Sequence, residues 1–189
     1  MSAHRSVYTH AQLTRLFNPT RVAIYGASPN PQSFGARTIA NMAKYQGKII
    51  RINPRYEKIG DEPCYPSVAD APETPDCAVF CIPRDGIEAA LLDCANSGVG
   101  GAVIFASGYT ETGVAEHAAD QARLTAIARD TGIKIIGPNT LGMSISPPPR
   151  WCRLPRARCR STHRAGRAWA LSVNRARSGL RWGRPSGAG

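Results

Sequence analysis

Apolar residues in this chain fall into short unbroken runs, separated by stretches that repeat at helical spacing. The runs at 22–25, 48–53, 76–82, 102–106 and 133–136 are apolar on both faces. Each stops at a turn former: Gly26, Pro54, Pro83, Gly108 or Gly137-Pro138. Strands apolar on both faces are buried from both sides and belong to parallel sheets. Between them, 36–45 carries Ile39, Met42 and Ala43 on one side, and 85–96 carries Ile87, Ala90, Leu91 and Cys94 at helical spacing. A long helix is predicted over 114–131, and a short lead-in helix over 11–17 closes at Asn18-Pro19. The connection from the second strand to the third reads as a polar loop containing Gly60, Pro63 and Pro66.

This alternation predicts an α/β fold: a Rossmann-like, doubly wound parallel sheet of about five strands, in the order 3-2-1-4-5. Ligands of such sheets sit at the carboxyl ends of the strands, beside the first. That end reads Gly26-Ala27-Ser28-Pro29-Asn30-Pro31-Gln32-Ser33-Phe34-Gly35, a small-residue turn with a helix opening near Ser33. Such a turn offers backbone N–H groups and a positive helix end to a phosphate.

A dinucleotide site calls for G-x-G-x-x-G here and an acidic residue ending the second strand. Neither is present. The turn has no second glycine before Gly35, and the second strand ends Ile52-Asn53-Pro54-Arg55. A guanidinium in that position suits a phosphate by charge and bidentate geometry. A nucleotide with an extra ribose phosphate fits, either NADP or coenzyme A.

Composition changes the picture little for the folded part and much for the tail. The net charge is +11, but eleven of the 24 basic residues are arginines at or beyond position 150, with no acidic residue among them. The remaining 13 basic residues balance 13 acidic ones. No apolar run reaches the roughly 18 residues a spanning helix needs. The first residues lead into polar sequence with no apolar leader core, so a cytoplasmic protein with no membrane partner is expected. Cys64, Cys77, Cys81, Cys94, Cys152 and Cys159 form no C-x-x-C pair and have no histidine at ligand spacing, which predicts reduced thiols and no metal site.

The five strand ends, taken together, resemble a known family. Val22 to Ser28, Ile52-Asn53-Pro54-Arg55, Cys81-Ile82-Pro83, Ala106-Ser107-Gly108-Tyr109 and Gly137-Pro138-Asn139-Thr140-Leu141-Gly142 look like the N-terminal CoA-binding domain of the NDP-forming acyl-CoA synthetases. That family includes ADP-forming acetyl-CoA synthetase and the α subunit of succinyl-CoA synthetase. The resemblance covers residues 12–146. It implies coenzyme A as ligand, with the turn Gly26, Ala27, Ser28, Asn30, Gln32 and Ser33 around its phosphates. Asn53 and Arg55 would lie at the adenosine end, Arg55 where the family has lysine. Ile82 and Pro83 would flank the nucleotide or pantetheine, Ala106, Ser107 and Gly108 would line the thiol arm, and Gly137, Pro138 and Asn139 would close the floor.

The family's reaction passes a phosphoryl group through a histidine in a second domain, with an ATP-grasp module supplying the phosphate. His4, His10, His117 and His163 match no such site, so no catalytic residue is nominated. Separate chains carrying those modules are the expected protein partners. A free-standing CoA-binding or CoA-sensing module is the alternative, and an NAD(P)-dependent oxidoreductase a further one.

Residues 147–189 have neither strand nor helix periodicity and are expected to form an Arg-rich disordered tail. A basic arm for nucleic acid is one reading. A frameshift is the preferred one. Read out of frame, the codons of residues 168–179 permit G-I-V-S-Q-S-G-A-L-G, which looks like the phosphate-binding turn opening the family's second domain.

Overall fold

The computed structural model describes residues 8–140 and the segments 142–143 and 152–153. Helix α1 (His10–Phe17) leads into β1 (Arg21–Tyr25), α2 (Phe34–Asn41) and β2 (Lys48–Ile52). Two short strands follow, β3 (Lys58–Ile59) and β4 (Glu62–Tyr65), then β5 (Cys77–Phe80) and α3 (Ile87–Asn96). Next come β6 (Gly101–Ile104), α4 (Ala115–Thr131) and β7 (Lys134–Ile136). A last pair, β8 (Gly142–Met143) and β9 (Cys152–Arg153), is antiparallel. The expectations for the rest of 147–189 lie outside the described residues.

Among the described residues the main sheet has seven strands in the order β3-β4-β2-β1-β5-β6-β7. Every neighbouring pair is parallel except β3 with β4. The Rossmann-like doubly wound class is as predicted, but two expectations are corrected. The five predicted strands lie in the order 2-1-3-4-5, not 3-2-1-4-5, and the supposed polar loop supplies two more. The causes are linked. Glu62-Pro63-Cys64-Tyr65 pairs its backbone with β2, Arg51 opposite Cys64 and Ile52 opposite Tyr65. It thereby fills the edge that the third predicted strand would have taken, and β5 docks on the other side of β1. A strand of this kind needs no apolar alternation, and its proline is tolerated near a sheet edge.

The two winding directions build two cores. Val22, Ile24, Val79, Val103 and Phe105 pack with Leu16 and Met42, on the face covered by α1 and α2. Ala23, Tyr25, Phe80 and Ile104 pack with Ile87, Leu91 and Leu124, on the face covered by α3 and α4. Alternation along β1 therefore points successive side chains into different cores. The Tyr25 ring meets Phe80 edge-on at 4.9 Å, and its hydroxyl donates to Asp93 Oδ2 at 2.6 Å. Burial, with the Cys94 and Asp93 neighbours adding to it, holds that hydroxyl far above the ordinary tyrosine range, so it remains a donor.

Helix α2 begins two residues earlier than the periodicity suggests and ends sooner. Ser33 is its N-cap, its Oγ accepting from the Ala36 N–H at 3.2 Å. Beyond Asn41 the chain turns, and the Tyr45 hydroxyl donates to the Pro19 carbonyl at 3.0 Å.

The amino-terminal edge of the sheet is tied by one carboxylate. Asp76 Oδ2 accepts from the Thr20 N–H (2.9 Å), the Thr20 hydroxyl (2.7 Å) and the Arg21 N–H (3.1 Å). Arg15 of α1 reaches the same carboxylate at 3.4 Å, and donates to the carbonyls of Gly98 and Pro75.

Candidate functional site

After β1 the chain crosses to the α2 face, and after β5 to the α3 face. Adjacent parallel strands whose connections diverge in this way leave a crevice at their carboxyl ends. Its walls are the 26–35 turn and the 81–86 segment, which begins a 3-10 turn at Arg84–Gly86.

Two glycines make the turn possible. Gly26 has φ +81°, and a Cβ there would lie 2.6 Å from the Cys81 carbonyl oxygen. Gly35, in the first turn of α2, sits so close to β1 that a Cβ would overlap the Gly26 carbonyl. The helix end is thus pressed directly against the strand end.

Three side chains of the turn, Ser28, Asn30 and Ser33, accept hydrogen bonds within it. Ser28 Oγ accepts from the Asn30 N–H at 3.2 Å, and Asn30 Oδ1 accepts from the Gln32 N–H at 2.9 Å. Ser33 caps the helix. What remains open is backbone: the N–H groups of Ala27, Ser28, Phe34 and Gly35 have no partner among the described residues. Together with the α2 N-terminus they form a positive concavity suited to an oxyanion.

Asn53, at the end of β2, fastens this turn to its neighbour. Its Nδ2 donates to the Ala27 carbonyl at 2.7 Å, and its Oδ1 accepts from the Arg55 N–H at 3.0 Å. An aspartate at this position would set a negative oxygen against the Ala27 carbonyl. The Asn53→Asp variant is expected to lose about 1–3 kcal/mol of stability in urea denaturation, the cost of a broken, partly buried hydrogen bond facing a like dipole. The Arg55 side chain is exposed and has no ion pair among the described residues.

The remaining strand ends meet in a second group. The Asn139 N–H donates to the Ala106 carbonyl at 2.8 Å, with Asn139 at φ +57° just after a cis Gly137–Pro138 bond. Arg84 Nη1 donates to the Gly108 carbonyl at 3.1 Å. The Gly108 N–H donates to Glu111 at 2.7 Å and the Tyr109 N–H at 3.2 Å. Burial pushes the Glu111 carboxyl up, but those N–H groups and His117 outweigh it and leave it below the ordinary carboxylate range. Gly108 therefore turns both its backbone groups inward, and exposed Ser107 is the member of that trio facing solvent.

Sequence reading missed three features of this edge. Gly35 was visible as a glycine, but its contact with Gly26 depends on how closely α2 descends on β1. Phe34 is 43% exposed and meets Phe105 edge-on, centroids 5.6 Å apart; an aromatic directly after an N-cap serine was the available signal. Glu111 follows Gly108 at a distance that permits a local carboxylate cap. Between the two groups, the Thr38 hydroxyl donates to the Phe34 carbonyl at 2.8 Å and lies 3.3 Å from Cys81 Sγ. Burial pushes the Cys81 thiol up to about 11, with the Thr38 contact opposing it, so the thiol stays protonated. A separate cavity of about 200 Å³ opens between α3 and α4, lined by Arg84, Glu88, Tyr109, Glu116, Asp120 and Arg123. Of the motifs read from the sequence, only Tyr109 lines it, and none of the residues assigned to the ligand does.

A glycine-bearing turn at the switch point of a parallel sheet, with open N–H groups and no carboxylate on β2, defines a Rossmann-like binder of phosphate-bearing coenzymes. Residues 20–146 match the family described as CoA binding domain, and the chain belongs to that family. It is 37% identical over 131 residues to the ADP-forming acetate–CoA ligase I of Archaeoglobus fulgidus, an alignment covering 69% of this chain and 19% of that protein. It is 36% identical over 132 residues to the α subunit of ADP-forming acetate–CoA ligase II of Pyrococcus furiosus, covering 69% of this chain and 29% of that subunit. The solved dinucleotide-forming acetyl-coenzyme A synthetase 1 of Candidatus Korarchaeum cryptofilum, in complex with phosphate and ADP, superposes with TM-score 0.64 at 36% identity, over 69% of this chain and 28% of that one. The chain is thus homologous to the N-terminal part of ADP-forming acyl-CoA synthetases and spans less than a third of the length of these relatives. Among the described residues no helix is long and apolar enough to cross a membrane.

Proposed function

We propose that this chain holds coenzyme A along the carboxyl edge of its sheet, as the CoA-binding part of an ADP-forming acyl-CoA synthetase. The diphosphate rests on the N–H groups of Ala27, Ser28, Phe34 and Gly35 at the α2 N-terminus. The adenosine end lies towards Arg55, whose guanidinium meets the 3′-phosphate. The pantetheine arm runs past Ile82 and Pro83 to Ala106 and Ser107, with Gly137–Asn139 beneath it. Ser28, Asn30, Ser33 and Asn53 hold the frame through the hydrogen bonds described above.

The observation that carries this reading is the end of β2. Asn53 stands where a dinucleotide site has its carboxylate, its amide engaged by the Ala27 carbonyl and the Arg55 N–H, and the Arg55 side chain beside it has no ion pair among the described residues. That combination disfavours NAD and favours a ligand with a ribose phosphate. Converting an acid, CoA and ATP to acyl-CoA, ADP and phosphate would then need the phosphohistidine and ATP-grasp modules from other chains or segments. A cytoplasmic setting fits the free thiols of Cys64, Cys81 and Cys94. Residues 12–146 would serve as the binding unit, with the Arg-rich remainder a product of altered reading frame.

Thermal shift with CoA, dephospho-CoA, NAD and NADP tests the assignment. A ligand at a hundred times its dissociation constant adds about 2.7 kcal/mol of stability, and CoA is expected to give the largest shift of the four. Arg55→Ala should weaken CoA about tenfold, in line with a lost charge-assisted hydrogen bond. It should leave dephospho-CoA unchanged. A larger shift by NAD than by CoA would sink the reading, and equal losses for CoA and dephospho-CoA would remove Arg55 from the 3′-phosphate.

A further inference from the structure

The crevice has two polar ends with an aromatic pair between them. Phe34 is the first residue of α2, directly after the N-cap Ser33. Side chains on a helix lean towards its N-terminus, so this ring leans over the turn end of the crevice. It also reaches sideways. β5 lies between β1 and β6 in the sheet, yet Phe34 meets Phe105, the residue after β6, with rings inclined at 72°. The ring pair thus bridges the carboxyl end of β5, where Cys81 contacts Thr38 one turn further along α2.

Phe105 is nearly buried, whereas Phe34 leaves 43% of its surface in solvent. The residue after Phe105 is Ala106, whose carbonyl is tied to Asn139. A ligand that begins on the turn and ends at Ala106 has to cross the exposed face of Phe34. The side chains on this path between the turn and Ala106 carry no charge: Phe34, Phe105 and Cys81 join Ile82 and Pro83, and the Cys81 thiol is held by Thr38. A phosphate or ribose would gain nothing there, whereas an uncharged, largely aliphatic segment gains the area it covers.

We propose that Phe34 is a specificity-determining contact for the pantetheine arm of the coenzyme, its exposed ring forming the floor on which the arm lies between diphosphate and thiol. The inference rests on the reading of the site as a CoA crevice and adds a residue that discriminates the whole coenzyme from its nucleotide half. The nucleotide half is bound by backbone N–H groups, that of Phe34 among them, and Arg55, and is blind to the Phe34 ring.

The test is calorimetric titration of the full chain and its Phe34→Ala and Phe34→Leu variants. The two ligands are CoA and adenosine 3′-phosphate 5′-diphosphate, which is CoA without the arm. Phe34→Ala is expected to weaken CoA by about tenfold, as removal of a half-exposed phenyl contact implies, and to leave the nucleotide fragment unaffected. Phe34→Leu should recover most of the CoA affinity, since the arm asks for apolar area more than for a π-face. Melting temperatures of both variants, lowered by only a few degrees because the ring is half exposed and loses one edge-on contact with Phe105, exclude a folding defect. Equal weakening of both ligands would mean that Phe34 acts through the phosphate turn, and no weakening of either would mean that another segment covers it; each overturns the inference, as does a leucine variant no better than alanine. A wild-type chain that binds neither ligand would overturn the CoA reading itself, whereas one that binds both equally well would overturn only the role of the arm.

Discussion

Replacing Gly35 with alanine is expected to destabilise the domain by about 3 kcal/mol and to abolish measurable CoA binding, although alanine is the better helix former. Two effects oppose each other at this position. In an exposed helix the exchange would stabilise by roughly 1 kcal/mol. Here the added Cβ would lie 2.0 Å from the Gly26 carbonyl oxygen, a backbone clash at the severe end of overpacking, which costs about 1–3 kcal/mol and occasionally more, so about 4 kcal/mol opposes that gain. The relief has only one direction, because β1 is fixed by pairing on both sides with β2 and β5. Helix α2 must rise off the strand and carry the N–H groups of Phe34 and Gly35 away from the turn. Thermal melting should show a drop of about 10 °C, and titration with CoA should show no heat of binding below millimolar ligand. A Gly35→Ala chain that melts higher than wild type would show that propensity wins and that the helix is not pressed on the strand.

The second large effect lies at the opposite edge. Asp76→Ala is expected to cost about 3–5 kcal/mol while leaving the CoA affinity of the folded chain intact. The carboxylate is largely buried and accepts three hydrogen bonds from Thr20 and Arg21, with Arg15 and the Arg21 guanidinium within 3.5 Å. Removing it leaves two backbone donors and a hydroxyl without their acceptor and takes one carboxylate from the Arg15 and Arg21 guanidiniums, which is the expensive way to break such a cluster. The same group gives stability a pH dependence of known sign. Burial pushes the Asp76 carboxyl up, but the Thr20 and Arg21 donors outweigh it and hold it below the ordinary value. A carboxyl depressed on folding contributes stability that is fully present above its unfolded pKa, about 3.9, and is lost as pH falls through the folded value. Denaturation at a series of pH values should therefore show wild type losing stability below about pH 4, with a shallower loss in Asp76→Asn. Glu73, also lowered through its exposed pairing with Lys48, adds little because such pairs are screened by solvent. Parallel acid curves for the two chains would remove Asp76 from this role.

Much of this architecture was legible in the residues. Runs such as Cys77–Phe80 and Gly101–Ile104 are buried at every position, which is why their apolar continuity announced a parallel sheet. The lateral order was not legible, because continuity reports burial on two faces and carries no label for the neighbouring strand. The deciding element, Glu62–Tyr65, is held by backbone pairing at an edge and so leaves little trace in hydropathy. The positions of the ligand edge followed from strand ends, and Asn53 and Arg55 were singled out by the absence of an acid. The division of labour within the edge was hidden. Whether Ser28 or Ser33 turns outward to a ligand or inward to a neighbouring N–H depends on dihedral angles that residue types do not specify. Phe34 was overlooked for a related reason: helical periodicity ranks aromatic residues as core, and gives no warning of one left at the lip.

The Asp76 cluster and the phosphate turn stand at opposite ends of the same strands, joined by two cores of aliphatic packing that neither interrupts. Stability is anchored at one pole, and the recognition proposed above hangs from loops at the other. A library that randomises 28–32, 54–57, 83–86 and 110–113, sparing buried Ala27 and Tyr109 and the N-cap Ser33, would vary the chemistry of the upper rim over an unaltered foundation. Such a chain lends itself to retargeting by loop exchange, with Gly26 and Gly35 kept as the fixed points of any graft.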